Sequence, residues 1–256
     1  YKFIHNYEVN KEMKKVLGIA LAAGVLLTAC GSNGSPAAKE ENVKFGEIMN
    51  KGKQVTYAIG TNKAETNAPN KFNPIYCYIF SDNGKITVYH SKKDVKLKDM
   101  KDKSYDDILK EAKKENKEHF EESKKDKIND LEAEDADEKA LNEVKNLKYK
   151  EPKERDLKID AFEDGTGNHT RKEKFYVTSD GFDGTEYIND TKALNNYYYY
   201  IMRSSADTIN IYDKNYAYLD NGEYGRDRMY LITEVGKNTK SSELDEPDSK
   251  YVKTYE

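Results

Sequence analysis

Residues 75–89, IYCYIFSDNGKITVY, carry the clearest structural signal in the chain. The first six are β-branched or aromatic except for Cys77, a composition that is typical of strands. The next four, Ser81–Gly84, contain the Asn-Gly pair that marks a tight β-hairpin. In the returning stretch, Ile86 and Val88 alternate with polar residues and so share one face. The stretch therefore predicts two antiparallel strands joined by a two-residue turn.

Upstream of the hairpin, residues 54–59 show the same alternation, with Val55, Tyr57 and Ile59 on one face. Strict alternation of this kind is the pattern of a half-buried strand. We therefore expect this segment to join the hairpin in one antiparallel sheet.

A charged helical region is predicted at about residues 104–147. Ser104, with Asp107 three residues later, has the form of a helix N-cap. A second helix is expected at about residues 127–147. Outside one less polar face, most positions of this region are Lys, Glu or Asp, which is typical of a solvated helix face. The residues that share the less polar face of the first helix are Tyr105, Ile108, Leu109, Ala112, Asn116, His119 and Phe120.

From residue 157 onward the β pattern returns in short segments joined by turns. Strands are predicted at 157–162, 174–178, 197–202, 208–212 and 229–235, with a last edge strand near Tyr251 and Tyr255. The whole pattern predicts an α+β fold in which an antiparallel, Tyr-rich sheet forms a sandwich or a partly closed barrel. A charged helical insertion interrupts this sheet. We expect one domain, because an isolated hairpin is too small to hold a core of its own.

The segment from Met13 to Cys30, MKKVLGIALAAGVLLTAC, has the layout of a secretory signal peptide. Two lysines precede an apolar run, and small residues follow it. The run is shorter than the roughly 20 residues that a membrane-spanning helix needs. Its end, Leu27-Thr28-Ala29-Cys30, resembles the lipobox of bacterial lipoproteins.

The resemblance implies that Cys30 receives a diacylglyceryl group. It also implies that a signal peptidase recognises Leu27, Thr28 and Ala29 and cleaves before Cys30. Two acyl chains anchor a protein stably, since burial is worth about 0.8 kcal/mol per CH₂ group. The expected location is the extracytoplasmic face of a bacterial cell membrane.

This interpretation divides the chain into four segments. Residues 1–12 do not fit a signal peptide and are expected to be an upstream over-extension, and residues 13–29 are the signal peptide. Residues 30–42, which are rich in Gly, Ser, Ala and charge, are predicted to form a flexible tether. Residues 43–256 form the single α+β domain.

The charge balance argues against a nucleic-acid-binding protein. The chain has 43 Lys and Arg against 47 Asp and Glu, a formal net charge of −4, whereas nucleic-acid binding needs a basic face. The expected partners are the membrane, through the Cys30 lipid, and a cell-wall polymer or a surface protein.

The sequence contains no recognisable motif for catalysis, a metal or a cofactor, and none of the three is predicted. His90, His119 and His169 have no neighbours at the spacing of metal ligands. Cys77 lies in a β-prone run with no electropositive neighbours, which favours a small buried hydrophobe over a nucleophile.

Tyrosine is the unusual feature of the composition: the chain has 21 Tyr, 8 Phe and no Trp. Tyr197, Tyr198, Tyr199 and Tyr200 place two rings on each face of a strand, and Tyr212 follows in the next segment. These five residues are a candidate binding surface, because tyrosine offers a large contact area at low entropic cost. The alternative is that tyrosine replaces Phe and Trp as a strand former with a polar edge.

Three functions fit this sequence, and we favour the first. It is a non-enzymatic surface lipoprotein that binds a partner or a cell-wall component through its C-terminal sheet. The second is a lipoprotein that carries a small solute or a lipid in a barrel-like cavity. The third is a cell-wall hydrolase that uses a pair of carboxylates, which the sequence alone does not single out among 47 acidic residues.

Overall fold

The structure, a computed structural model, describes four ranges of the chain: residues 34–61, 68–177, 199–223 and 228–256. The signal-peptide segment and the lipobox lie outside these ranges, as do Tyr197 and Tyr198.

The described residues form fourteen strands, three α-helices and two 3₁₀-helices. The strands are β1 Asn42–Lys44, β2 Lys53–Gly60, β3 Ile75–Asp82, β4 Lys85–His90, β5 Arg155–Asp156, β6 Ile159–Glu163, β7 Thr170–Tyr176, β8 Tyr199–Met202, β9 Ala206–Asp207, β10 Ile209–Ile211, β11 Lys214–Asp220, β12 Met229–Val235, β13 Ser241–Glu243 and β14 Lys253–Tyr255. The α-helices are α1 Phe45–Asn50, α2 Tyr105–Ala133 and α3 Glu138–Lys145, and the 3₁₀-helices are Pro36–Lys39 and Leu97–Met100.

These strands form three sheets, which confirms the α+β class. The largest has seven antiparallel strands in the order β10-β11-β12-β2-β3-β4-β5, and the others have the orders β14-β6-β7-β8 and β1-β13-β9. Two pairs are parallel, namely β14 with β6 and β1 with β13. In the described ranges the sheets do not close into a barrel. They form an open, layered arrangement.

The seven-stranded sheet is buried on both faces. On one face, Ile79 and Leu231 share a core with α1 and with Phe175 of the four-stranded sheet. On the other face, Tyr78 and Tyr230 share a second core with residues of α2 and of the second 3₁₀-helix. The central sheet is therefore the middle of three layers.

The predicted hairpin is confirmed. β3 and β4 pair antiparallel, with Asp82 opposite Lys85 at the turn. Asn83 and Gly84 have φ values of 49° and 83°, which is the backbone of a type I′ turn.

The helix N-cap at Ser104 is also confirmed, because its side chain accepts a hydrogen bond from the Asp107 amide at 3.2 Å. The expected start of a second helix near residue 127 is wrong, since α2 continues to Ala133. Asp135 then adopts a φ of 50°, and Asp137 caps α3. No helix in the described ranges is both long and apolar enough to cross a membrane.

In the C-terminal half, β6 and β7 pair antiparallel as the sequence predicts. β11 was not predicted, because the turn before it, Tyr212-Asp213, lacks an Asn-Gly signal. The last edge strand is present as β14, but it runs parallel to β6 and not antiparallel.

Residues 34–42 differ from the flexible tether that their composition predicts. Ser35, Ala37 and Ala38 are at most 3% exposed. The amide of Gly236 donates a hydrogen bond to the Ala38 carbonyl oxygen at 2.8 Å. The small residues Ala38 and Gly236 allow this segment to pack closely against the end of β12. Composition does not distinguish this use of small residues from flexibility.

We expect the Ala38→Asp substitution to lower the free energy of unfolding by about 3 kcal/mol, because it places a carboxylate in the core without a partner. Urea denaturation measures this change. The matched control is Lys39→Glu at the neighbouring exposed position, which should leave stability almost unchanged. A tether that does not pack would tolerate both substitutions equally.

Candidate binding site

The four-stranded sheet has a core face and an outer face. Ile159, Phe175 and Met202 point into the core. Because side chains alternate along a strand, their neighbours point away from it. We call this second surface the outer face and define it by Lys158, Asp160, Phe162, Lys172, Lys174, Tyr176, Tyr199, Ile201, Lys253 and Tyr255.

Pairing between strands arranges most of these side chains in three rows. The rows are Tyr255–Phe162–Lys172, Lys253–Asp160–Lys174–Ile201 and Tyr176–Tyr199. The aromatic rings therefore lie only in the two flanking rows, and the middle row holds three charged residues and Ile201.

The lysine ammonium groups of the outer face lie over its rings. Lys174 Nζ is 3.7 Å from the ring centroid of Tyr199 and 4.9 Å from that of Tyr176. Lys172 Nζ is 4.3 Å from the centroid of Phe162. Each of these distances is within the range of a cation–π interaction. Lys158 over Tyr176 and Lys253 over Tyr255 repeat the arrangement at 4.1 Å and 4.6 Å.

Asp160 is the carboxylate at the middle of the outer face, and it is 4% exposed. Its Oδ2 accepts a hydrogen bond from the Tyr176 hydroxyl at 2.7 Å. This bond, together with burial, raises the pKa of Tyr176 to about 12. Tyr176 therefore stays a neutral phenol that donates its proton to this hydrogen bond.

The outer face is basic although the whole chain is acidic. Its described residues include four lysines and one carboxylate, whereas the chain has a net charge of −4. Asp160 is buried under its neighbours, so the groups closest to solvent are ammonium groups and ring edges. Such a surface attracts anions and offers rings for stacking.

The three candidate tyrosines in the described ranges do not share one surface. Tyr199 is 47% exposed at the edge of the outer face. Tyr200 faces the core, with its hydroxyl 3.6 Å from Cys77 Sγ. Tyr212 lies in the turn between β10 and β11 of the seven-stranded sheet. Of these three residues, Tyr199 and Tyr212 therefore belong to two separate surfaces.

Cys77 is the small buried hydrophobe that its sequence context predicts. The residue is 3% exposed, and burial raises the pKa of its thiol to about 11. A thiol with a raised pKa is protonated and a poor nucleophile.

Sequence reasoning missed the lysines and three of the four rings of the outer face. The signal that locates them is the alternation in Lys172–Tyr176, where Lys172, Lys174 and Tyr176 fall on one side and Glu173 and Phe175 on the other. This alternation predicts a strand, but it does not show which strands bring Phe162 and Tyr255 beside it.

One carboxylate pair lies inside the protein. Glu173 and Asp245 are 0% and 1% exposed, and Glu173 Oε1 accepts a hydrogen bond from the Asp245 amide at 2.5 Å. Asp245 Oδ2 accepts one from the Gly46 amide at 2.9 Å. Burial raises the pKa of both carboxyls, and the nearby charge of Asp245 raises that of Glu173 further. The protonated form of Glu173 is therefore favoured, and the pair joins β7, α1 and the C-terminal segment.

The fold also brings together two histidines that are distant in sequence. The rings of His90 and His119 stack with centroids 4.9 Å apart. In the described ranges no group of three or more His, Cys, Asp or Glu residues is arranged to hold a metal ion.

No protein-family model matches this chain, and no curated protein or solved structure matches it at a significant level.

The buried pair makes stability depend on pH. Folding raises the pKa of Glu173, so the folded state binds more protons than the unfolded state. The resulting stabilisation is complete below the unfolded pKa and is lost as the pH rises through the folded pKa. Between about pH 5 and about pH 9 the free energy of unfolding of the wild type should fall because of Glu173. We expect this fall to be smaller by at least about 1 kcal/mol in Glu173→Gln. Urea denaturation across this range measures it.

The control is Glu154→Gln, which removes an exposed carboxylate. This variant should keep the wild-type pH profile. An unchanged profile in Glu173→Gln would show that Glu173 is ionised in the folded protein.

Proposed function

We propose that this chain is an extracytoplasmic bacterial lipoprotein, anchored by lipid on Cys30, whose folded body binds an anionic polymer of the cell envelope through the outer face. The observation that carries the proposal is the outer face itself, in which four lysines and four aromatic rings surround one buried carboxylate. The lipobox Leu27–Cys30 supports the anchor and the location.

The charges of the outer face favour an anionic ligand. Lys172 and Lys174 lie on one strand, and Lys253 lies across β6 from Lys174. A strand advances about 3.3 Å per residue, so these ammonium groups form a two-dimensional array. An extended polymer with regularly spaced phosphate or carboxylate groups can contact several of them at once.

The rings favour a ligand with flat or cyclic repeating units. Phe162 and Tyr255 stack with centroids 5.5 Å apart, and Tyr176 and Tyr199 lie side by side at 6.2 Å. Both pairs are held in place by strand pairing, so little side-chain entropy is lost on binding. A sugar polymer with anionic substituents combines both kinds of contact.

The alternatives find less support. A solute or lipid carrier of the predicted kind needs a barrel-like cavity, and the described sheets are open. A hydrolase needs carboxylates that reach the substrate, whereas Glu173 and Asp245 lie in the interior. If the polymer does not bind, a surface protein is the remaining partner for the outer face.

We expect the double variant Lys172→Gln and Lys174→Gln to bind phosphate-bearing cell-wall polymer about 20-fold more weakly than the wild type. Each lost contact is worth about 1 kcal/mol, or about fivefold in Kd. Cosedimentation with purified wall fragments, before and after chemical removal of their phosphate, measures the effect. Loss of binding after phosphate removal identifies phosphate as the recognised group, and retention identifies carboxylate.

The matched control is Lys148→Gln with Lys150→Gln, which removes two exposed lysines outside the sheets. It should bind like the wild type. Equal weakening in both double variants would contradict a specific role for the outer face.

The anchor makes a separate prediction. Cells labelled with a radioactive fatty acid should incorporate label into the wild type and into Cys77→Ala, because Cys77 is buried and inert. The Cys30→Ala variant should contain no label and should accumulate as unprocessed precursor. Labelling that survives in Cys30→Ala would refute the lipobox interpretation.

A further inference from the structure

We propose that a second surface, formed by Lys71, Phe72, Lys98, Lys101 and Tyr212, rests on the anionic lipid headgroups of the membrane that holds the anchor. We call it the Phe72–Tyr212 surface. The inference deepens the proposed function and rests on acylation of Cys30.

The surface combines exposed rings with lysines. Phe72 and Tyr212 are 55% and 39% exposed. Lys71 Nζ lies 5.1 Å from each of the two ring centroids and so connects them. Lys98 Nζ is 5.8 Å from the Phe72 centroid, and Lys101 Nζ is 4.8 Å from the Tyr212 centroid.

The charge around these rings is positive. Residues 92–103 contain six lysines and three aspartates, and Lys92, Lys93 and Lys103 pair with carboxylates of α2. Of Lys71, Lys98 and Lys101, only Lys101 pairs with a carboxylate within the described ranges, that of Asp102 at 3.8 Å. Lysines beside exposed rings complement an anionic membrane surface, where rings enter the interface and ammonium groups reach the headgroups.

Turn chemistry does not account for the tyrosine in this surface. Tyr212 and Asp213 have φ values of 52° and 63°, so both occupy the left-handed region. Such turns favour Asn and Gly, because a large side chain there costs stability. Contact with a ligand gives a reason for the exposed ring at this position.

The part of the surface that holds Tyr212 lies near the point where the chain leads to the anchor. Gly34 pairs with Lys53 at the start of β2. The strand register places the start of β2 beside the end of β12, and Val235 at the end of β12 lies opposite Asn215 near the start of β11. The turn that holds Tyr212 is therefore at the same end of the sheet as Gly34. Two strand spacings, about 10 Å, separate β2 from β11.

Only a short segment of chain separates Cys30 from this end of the seven-stranded sheet, which keeps that end close to the membrane. Gly34 pairs with Lys53, and the buried Ser35 donates its amide to Gln54 Oε1 at 3.2 Å, so the chain is fixed to the sheet at these residues. Cys30 is only four residues before Gly34. Four residues span at most about 14 Å when fully extended. An acylated Cys30 therefore keeps this end of the sheet within reach of the headgroups.

The location of the rings separates this surface from the outer face. Phe72 lies in the loop before β3 and Tyr212 in the turn between β10 and β11, so neither ring is part of a paired strand. The rings of the outer face lie on paired strands and are covered by lysines. An exposed ring outside the strands can enter a lipid interface, whereas a ring lying flat on a sheet suits stacking.

The chain contains no tryptophan, so Phe72→Trp introduces a single fluorescent probe into the surface. The full chain is expressed with its lipidation machinery and reconstituted into phosphatidylglycerol-containing vesicles with brominated acyl chains. We expect the emission of Phe72→Trp to fall about twofold or more relative to vesicles without bromine. The matched probe is Phe162→Trp on the outer face, which should not be quenched.

A charge-removal variant tests the role of the lysines. Adding Lys71→Gln, Lys98→Gln and Lys101→Gln to the Phe72→Trp chain should abolish the quenching while the protein stays membrane-bound. Adding Lys158→Gln, Lys172→Gln and Lys174→Gln instead should leave it intact. Tyr212→Asn should reduce quenching without loss of stability.

The outcomes separate this inference from the proposed function. Bound protein in which Phe72→Trp is not quenched, or is quenched no more than Phe162→Trp, overturns the membrane contact and leaves the anchor in place. Protein that lacks lipid and does not associate with vesicles contradicts the anchor itself. Equal loss of quenching in both triple variants would show a nonspecific charge effect and would also overturn the inference.

Discussion

Burial of the seven-stranded sheet on both of its faces is the constraint on which the rest of the structure depends. β2 lies between β3 and β12, so the centre of the sheet combines segments more than 150 residues apart. Each face needs its own cover, and the chain supplies α2 and a 3₁₀-helix on one side and α1 with the four-stranded sheet on the other. Polar groups on these faces need internal partners, as the hydrogen bond from the Tyr78 hydroxyl to Glu115 shows.

The sequence predicts local structure better than arrangement. The hairpin at Gly84 and the cap at Ser104 follow from short-range chemistry and were predicted correctly. The packed state of Ala38 was not, because small residues suit both flexible chains and close contacts. The outer face could not be predicted as a unit, since the partnership of β14 with β6 brings Tyr255 to Phe162 from 93 positions away in sequence. Only long-range pairing assembles such a surface.

The tyrosines serve different roles that composition does not distinguish. Tyr78 and Tyr230 are core residues, Tyr199 belongs to the outer face, and Tyr212 belongs to the Phe72–Tyr212 surface. Both surfaces pair rings with lysines in an acidic chain, and both suit anionic ligands. Tyrosine can form a binding surface or serve as a strand former. Each of these two interpretations therefore applies to different tyrosines of this chain.

Hydrogen–deuterium exchange of the protein with and without the anionic wall polymer tests the central claim most directly. The polymer should slow amide exchange in β6, β7, β8 and β14, whose side chains form the outer face, and should leave α2 and α3 unchanged. Protection confined to α2 and α3, or no protection at polymer concentrations that saturate binding, would contradict the claim that the outer face is the binding site.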